Sequence, residues 1–112
     1  MLHPDQPAKK SYIETVLEGV NGPIVSASDN VRAVGEQLLP YVGQDYYVLG
    51  TDGLGRSETR TALRRHFEVD AASITIAALY RLSKTGVVPT STVAQAIKDL
   101  GFDAEKPNPL FT

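Results

Sequence analysis

The chain has 112 residues, 42% of them hydrophobic, with a formal net charge of −2 and no cysteine. That length allows one domain with a small core. The charge makes no electrostatic case for nucleic acid, because Arg64-Arg65 with His66 is too short a run to form a basic stripe, and the missing cysteine excludes disulfide frameworks, thiol chemistry and cysteine metal sites.

The opening residues MLHPDQPAKK lack the apolar centre of a signal peptide, and no apolar run reaches membrane-spanning length. A cytoplasmic protein fits this pattern. Residues 1–10 carry two prolines and few apolar side chains, and read as a linker or extended arm. From Ser11 to Val20, apolar residues at Tyr12, Ile13, Val16, Leu17 and Val20 have helical spacing with one sticky face. Gly19 and Asn21-Gly22-Pro23 end that helix. Ile24 to Ala27 is a short apolar run that reads as a strand. Ser28-Asp29-Asn30 then offers N-cap chemistry for a helix carrying Val31, Val34, Leu38 and Leu39. Pro40 marks its approximate end, since proline disfavours helical geometry in the residue before it.

The stretch from Tyr46 to Phe67 is the centre of the chain. Tyr46 to Leu49 is a β-favouring run, Gly50 to Gly55 is a glycine-punctuated turn, and Ser57 is positioned as a helix N-cap with Glu58 in the first turn. Strand, glycine loop and helix form the local unit of an open α/β sheet, in which ligands sit beyond the carboxyl ends of the strands. The helix after the loop places Leu63 and Phe67 four residues apart, with Arg60, Arg64 and Arg65 mostly on other faces. Asp70 is an N-cap for the next helix, which holds Ile74, Ile76, Ala77, Ala78, Leu79 and Leu82 and is apolar around most of its circumference. Such a helix is buried on more than one side, and Gly86 terminates it. Thr90 or Ser91 caps the last helix, whose stripe is Val93, Ala94, Ile97 and Leu100, and Gly101 ends it. The tail from Phe102, with Pro107 and Pro109, is expected to lie extended over the surface.

Two strands against four or five helices make one βαβ unit, which rarely stands alone. The expectation is therefore the second half of a domain, or a domain completed by association. It carries a further consequence: Ile74, Ile76 and Leu79 are not all expected to find cover within this chain.

Several residues invite chemical readings. Gly50-x-x-Gly53-x-Gly55-Arg56-Ser57 is loosely similar to a phosphate cradle, in which glycines let backbone amides approach an anion. It matches neither the dinucleotide fingerprint nor the Walker pattern, and a tight strand-to-helix turn with positive φ at Gly53 or Gly55 accounts for it more simply. His66, near the end of an arginine-bearing helix, is a dipole partner or buried hydrogen-bonder more often than a catalyst. His3 has no companion. Asp29 and Asp52 both follow strand-like runs, so they are candidates for paired carboxylates supporting acid–base or magnesium chemistry. Asp29 is equally a helix cap.

The wording of several segments then resembles one family. Leu2-His3-Pro4, Tyr12-Ile13, the closing Asn108-Pro109 and above all VLGTDGLGRSETR…LRRHFEVDA from Val48 to Ala71 are similar to the C-terminal region of the homodimeric pyruvate dehydrogenase E1 component. The resemblance covers essentially the whole chain. It implies an α/β fold, part of a transketolase C-terminal-like domain, with a short, mostly parallel sheet and several helices across residues 11–112. The matching signature is Gly50, Asp52, Gly53, Gly55, Arg56, Ser57, Arg60, His66 and Phe67, read here as structural or interface-forming. The intact enzyme, as the resemblance implies, uses thiamine diphosphate and magnesium to decarboxylate pyruvate, the end product of glycolysis, and reductively acetylates the lipoyl group of its E2 partner, dihydrolipoyl acetyltransferase. The family's cofactor pattern, GDG followed by paired asparagines, is absent. Thr51-Asp52-Gly53 lacks the first glycine. No catalytic, cofactor-binding or metal residue is therefore carried over. The partners implied are the remainder of an E1 chain, a second E1 subunit and E2, with neither nucleic acid nor membrane. Two other readings compete: a small anion- or nucleotide-binding α/β module using the Gly50–Ser57 loop, and a purely structural association domain.

Overall fold

A computed structural model describes residues 1–43 and 45–112. Among the described residues, five α-helices and two strands follow in the order α1 (Tyr12–Val16), β1 (Ile24–Ala27), α2 (Arg32–Glu36), β2 (Tyr46–Leu49), α3 (Arg60–His66), α4 (Ala71–Lys84) and α5 (Thr90–Asp99). Two 3-10 turns, Leu39–Tyr41 and Pro109–Phe111, complete the order. β1 and β2 pair in parallel, with Ile24 opposite Tyr46 and Ala27 opposite Leu49. The strand boundaries are those the apolar runs predict. The architecture is α/β, with a short two-stranded parallel sheet and helices around it.

Helix starts depart from expectation wherever a distant group supplies the cap. Ser28 Oγ accepts from the Asn30 amide at 3.2 Å and so closes a local turn instead of starting a helix. α2 is capped at Val31 with no side-chain bond from that residue. Its first amide, that of Arg32, donates instead to Asp52 Oδ1 at 2.9 Å. Pro40 does not close this helix. It lies inside the following 3-10 turn, where a missing amide costs nothing. Ser57 is not the cap of α3, as Thr59 takes that position and its hydroxyl accepts from the Ala62 amide at 3.3 Å. α5 starts after Pro89 without a side-chain cap, so neither Thr90 nor Ser91 serves as one. Asp70 does cap α4, accepting from the Ser73 amide at 2.9 Å and the Ser73 hydroxyl at 2.6 Å.

α4 and α5 end by the glycine rule, and α3 departs from it. Gly86 and Gly101 close α4 and α5 with paired bonds back onto the last turn, Val87 N to Leu82 O at 3.0 Å and Phe102 N to Ile97 O at 3.0 Å. α3 ends in the same geometry, Val69 N to Arg64 O at 2.9 Å, but with Glu68 in the left-handed position at φ 60. That conformation is unfavourable for a residue with a Cβ. Lys106 holds it from outside, donating to Glu68 Oε1 at 3.0 Å and to the His66 carbonyl at 2.6 Å.

The core is small. Among the described residues its buried apolar members are Val48, Val69, Ala77 and Val93, and no large side chain is completely enclosed. α4 packs on α5 and on both strands, while α2 rests on β2. Arg81 of α4 reaches both carboxylate oxygens of Asp45 at 2.9 Å from Nε and lies 5.4 Å from the Tyr47 ring centroid. A second arginine, Arg65, bonds Asp70 Oδ2 at 2.5 Å and the Leu100 carbonyl at 3.2 Å, and stacks 4.3 Å over Phe102. These two side chains tie the helices to the sheet and to each other.

The exposed surface is 8064 Å², where a folded monomer of this mass shows about 6,000 Å². The radius of gyration is 17.0 Å against about 13 Å for a compact domain of this length. Tyr12, Val16, Val34, Leu38, Leu39, Tyr41 and Leu54 are all exposed, and Ile74 is 38% exposed within the mostly apolar α4. The apolar residues outnumber the places this chain has to bury them.

Candidate functional site

The chemistry-bearing residues meet where β2 runs out into the glycine loop. Gly50 passes so close to the neighbouring segment that a Cβ there would lie 2.6 Å from the Asn30 carbonyl and 2.7 Å from the Arg32 amide. The next residue fastens that contact, with the Thr51 amide donating to Asn30 O at 2.9 Å and its hydroxyl to Asp29 O at 2.6 Å. Asp52 then turns back onto α2. Its second oxygen accepts from Arg32 Nε at 2.7 Å, so both oxygens are engaged with one residue. The Arg32 amide, followed by the guanidinium, holds the Asp52 carboxyl below its ordinary range. Asp29 and Asp52 do sit at adjacent strand ends, but Asp52 works as a long-range helix cap. Both Asp52 oxygens are thus committed to Arg32 and not to a shared site with Asp29.

Gly53 and Gly55 differ. Gly53 has φ +103, and a Cβ on it would lie 2.2 Å from the Pro109 carbonyl. The tail, in its 3-10 turn capped by Asn108 (Leu110 N to Asn108 Oδ1 at 2.9 Å), is pressed directly onto this glycine. Gly55 has no positive φ and open space around it. Ser57, Glu58 and Thr59 separate the glycines from α3, a seven-residue helix, so loop and helix start do not merge into a backbone cradle.

Arg56 and Arg60 face a cleft of about 460 Å³ together with Arg64, over a floor that includes Leu63, Phe67 and Val69. Asp29 and Glu58 line it as well. His66 points elsewhere. Its Nε2 is enclosed without a hydrogen-bond partner among the described residues, and its ring meets the edge of Phe67 at 4.9 Å and 79°. Burial, and then the positive charges of Arg56 and Lys106, push His66 below its ordinary value of 6.5. It is a neutral ring in a positively charged neighbourhood.

Sequence reasoning missed Lys106, Arg65, the Asp45–Arg81 pair and the strained Glu68. Their partners lie up to 40 residues away. No local pattern signals them. Only Arg65 carried a hint, five residues before a helix-capping aspartate.

The parallel strand pair, the glycine loop closed by Asp52 and the following helices define a transketolase-type C-terminal module. A sequence profile described as the Transketolase-like TK C-terminal domain matches residues 5–70, more than half of the chain, which belongs to that family. Over nearly all its length the chain is also similar to proteins named Pyruvate dehydrogenase E1 component. It is 44% identical over 110 residues to that of Cupriavidus necator, covering 98% of this chain and 12% of the relative. The figures for Escherichia coli K12 are 44% over 110 residues, 97% and 12%. For Mycolicibacterium smegmatis they are 43% over 103 residues, 92% and 11%. The chain thus spans 12% or less of the length of these curated relatives.

Proposed function

We propose that this chain is the C-terminal portion of the E1 component of a pyruvate dehydrogenase complex and that its own part is structural and interface-forming. The similarity to E1 proteins along almost the whole chain carries this reading. The fold supports the division of labour. Asp52, Gly50 and Gly53 are committed to close backbone packing, and α1 and α2 expose apolar side chains that need cover. In the intact enzyme, pyruvate is decarboxylated with thiamine diphosphate and magnesium, and the two-carbon unit is passed to the lipoyl group of E2. The remainder of the E1 chain and a second E1 subunit of a homodimer are the surfaces this portion meets, in the cytoplasm.

Among the described residues, no three His, Asp or Glu side chains come together to hold an ion. No helix described is long and apolar enough to cross a membrane. No step of the reaction is assigned to this chain. Two experiments test the proposal. Incubation of the chain with pyruvate, thiamine diphosphate and magnesium is expected to show no decarboxylation, and measurable turnover would refute a non-catalytic role. Grafting the chain in place of the matching segment of the Escherichia coli protein is expected to give an assembled enzyme that decarboxylates pyruvate. A graft that folds but neither assembles nor turns over would remove the E1 assignment.

A further inference from the structure

The cleft beyond β2 has a feature that a scaffold does not require. Arg60 and Arg64 stand four residues apart on α3 and face the same space, and Arg56 enters it from the loop. Two cations at that spacing on a helix repel each other. None of the three forms an ion pair or side-chain hydrogen bond among the described residues, although the other arginines of the folded region nearby, Arg32, Arg65 and Arg81, each have a carboxylate. The unpaired charge is concentrated in one place, and its effect reaches His66, where Arg56 contributes to the depressed basicity.

We propose that Arg56, Arg60 and Arg64 form a binding site for a small phosphorylated ligand of the nucleotide class. Guanidinium groups present planar forks of N–H donors that match phosphate oxygens two at a time. The volume, about 460 Å³, lies within the range of small-molecule sites. The cleft also offers the rest of such a ligand what it needs. Phe67 and Leu63 contribute apolar surface against which a base can pack. The carboxylates of Asp29 and Glu58, which also line the cleft, are acceptors for sugar hydroxyls. This site uses side chains, not the loop amides, and it is independent of thiamine chemistry and of the E1 assignment.

The test is titration of the 112-residue chain with ATP, AMP, inorganic pyrophosphate and inorganic phosphate, followed by calorimetry at low and at physiological ionic strength. Saturable binding is expected with ATP tightest, pyrophosphate weaker for want of the apolar and carboxylate contacts, and inorganic phosphate weakest. The affinity is expected to fall with salt. Arg60→Gln is expected to weaken ATP roughly tenfold or more, as the loss of a charge-assisted bond implies. Arg56→Gln, in an exposed loop outside any helix, carries the same expectation and guards against a folding artefact at position 60. Arg64→Lys retains charge without the fork and is expected to fall between. Lys98→Gln, on α5 and away from the cleft, is expected to change nothing. Absence of saturable binding at millimolar ATP overturns the site, as does ATP affinity unchanged by Arg56→Gln and Arg60→Gln. A poly-glutamate peptide binding more tightly than ATP overturns it in favour of an acidic protein surface.

Discussion

α1 and α4 carry equally good starting signals and end up very differently. α1 has a complete capping box, with the Glu14 amide on Ser11 Oγ at 3.2 Å and Glu14 Oε2 on the Ser11 amide at 2.6 Å. It nevertheless runs for five residues with none buried. α4 is capped by Asp70 and runs for fourteen residues, packing Ser73 and Ala77 against α5 and the sheet. A cap satisfies the first amides, but helix length depends on packing an apolar face. The C-terminal half has that support within the chain. The N-terminal half does not, and Tyr12, Val16, Val34, Leu38 and Leu39 are left to solvent.

The sharpest way to break this contrast is to ask whether the N-terminal face stays open. Sedimentation velocity at micromolar concentration is expected to show concentration-dependent association, because β1 and β2 each have an unpaired edge and apolar patches of this kind recruit neighbours. Val34→Lys with Leu38→Lys is expected to shift the chain towards monomer. A compact, concentration-independent monomer with a sharp melt would mean the two halves close on each other after all.

A smaller effect is expected at the loop between the halves. Gly53→Val places a Cβ against the Pro109 carbonyl at φ +103, and is expected to cost on the order of 1–3 kcal/mol and to release the tail. Gly55→Val, in open space, is expected to be close to neutral. Thermal denaturation compares the two, and equal losses would contradict the docked tail.

The caps give the next test. Asp70→Ala is expected to cost about 1–2 kcal/mol, since it removes the bonds to Ser73 and leaves Arg65 without its carboxylate. Ser11→Ala is expected at about 0.5 kcal/mol, because little packing depends on α1. Chemical denaturation with both variants reads the difference directly. A larger loss at Ser11 would reverse the assignment of the weaker half.

The smallest expected effect is in pH. His66 has a depressed folded-state value, so its contribution to stability is fully present above the unfolded value and is lost as pH falls through the folded one. Stability is therefore expected to decline as pH falls below the ordinary histidine value of 6.5, and His66→Gln is expected to flatten that slope. Asp52, also depressed, acts in a separate and more acidic window below its ordinary 3.8. A slope unchanged by His66→Gln would place the charge at work elsewhere.

What the sequence determined by itself is what depends on neighbours along the chain. The strands Ile24–Ala27 and Tyr46–Leu49, the Asp70 cap and the stops at Gly86 and Gly101 all follow from local backbone preference and side-chain periodicity. The wording around Gly50 to Phe67 made the family legible as well. Three things were decided only in tertiary structure. Asp52 caps a helix twenty residues upstream, which displaced both the Ser28–Asn30 cap and the paired-carboxylate reading. The tail folds back so that the Pro109 carbonyl meets Gly53 and Lys106 fastens Glu68, where the sequence read a tail lying extended over the surface. Arg56, Arg60 and Arg64 share one cleft although Arg56 belongs to the loop and the other two to α3. Each of these depends on distances between groups far apart in the chain, and local preference carries no information about such distances until packing sets them.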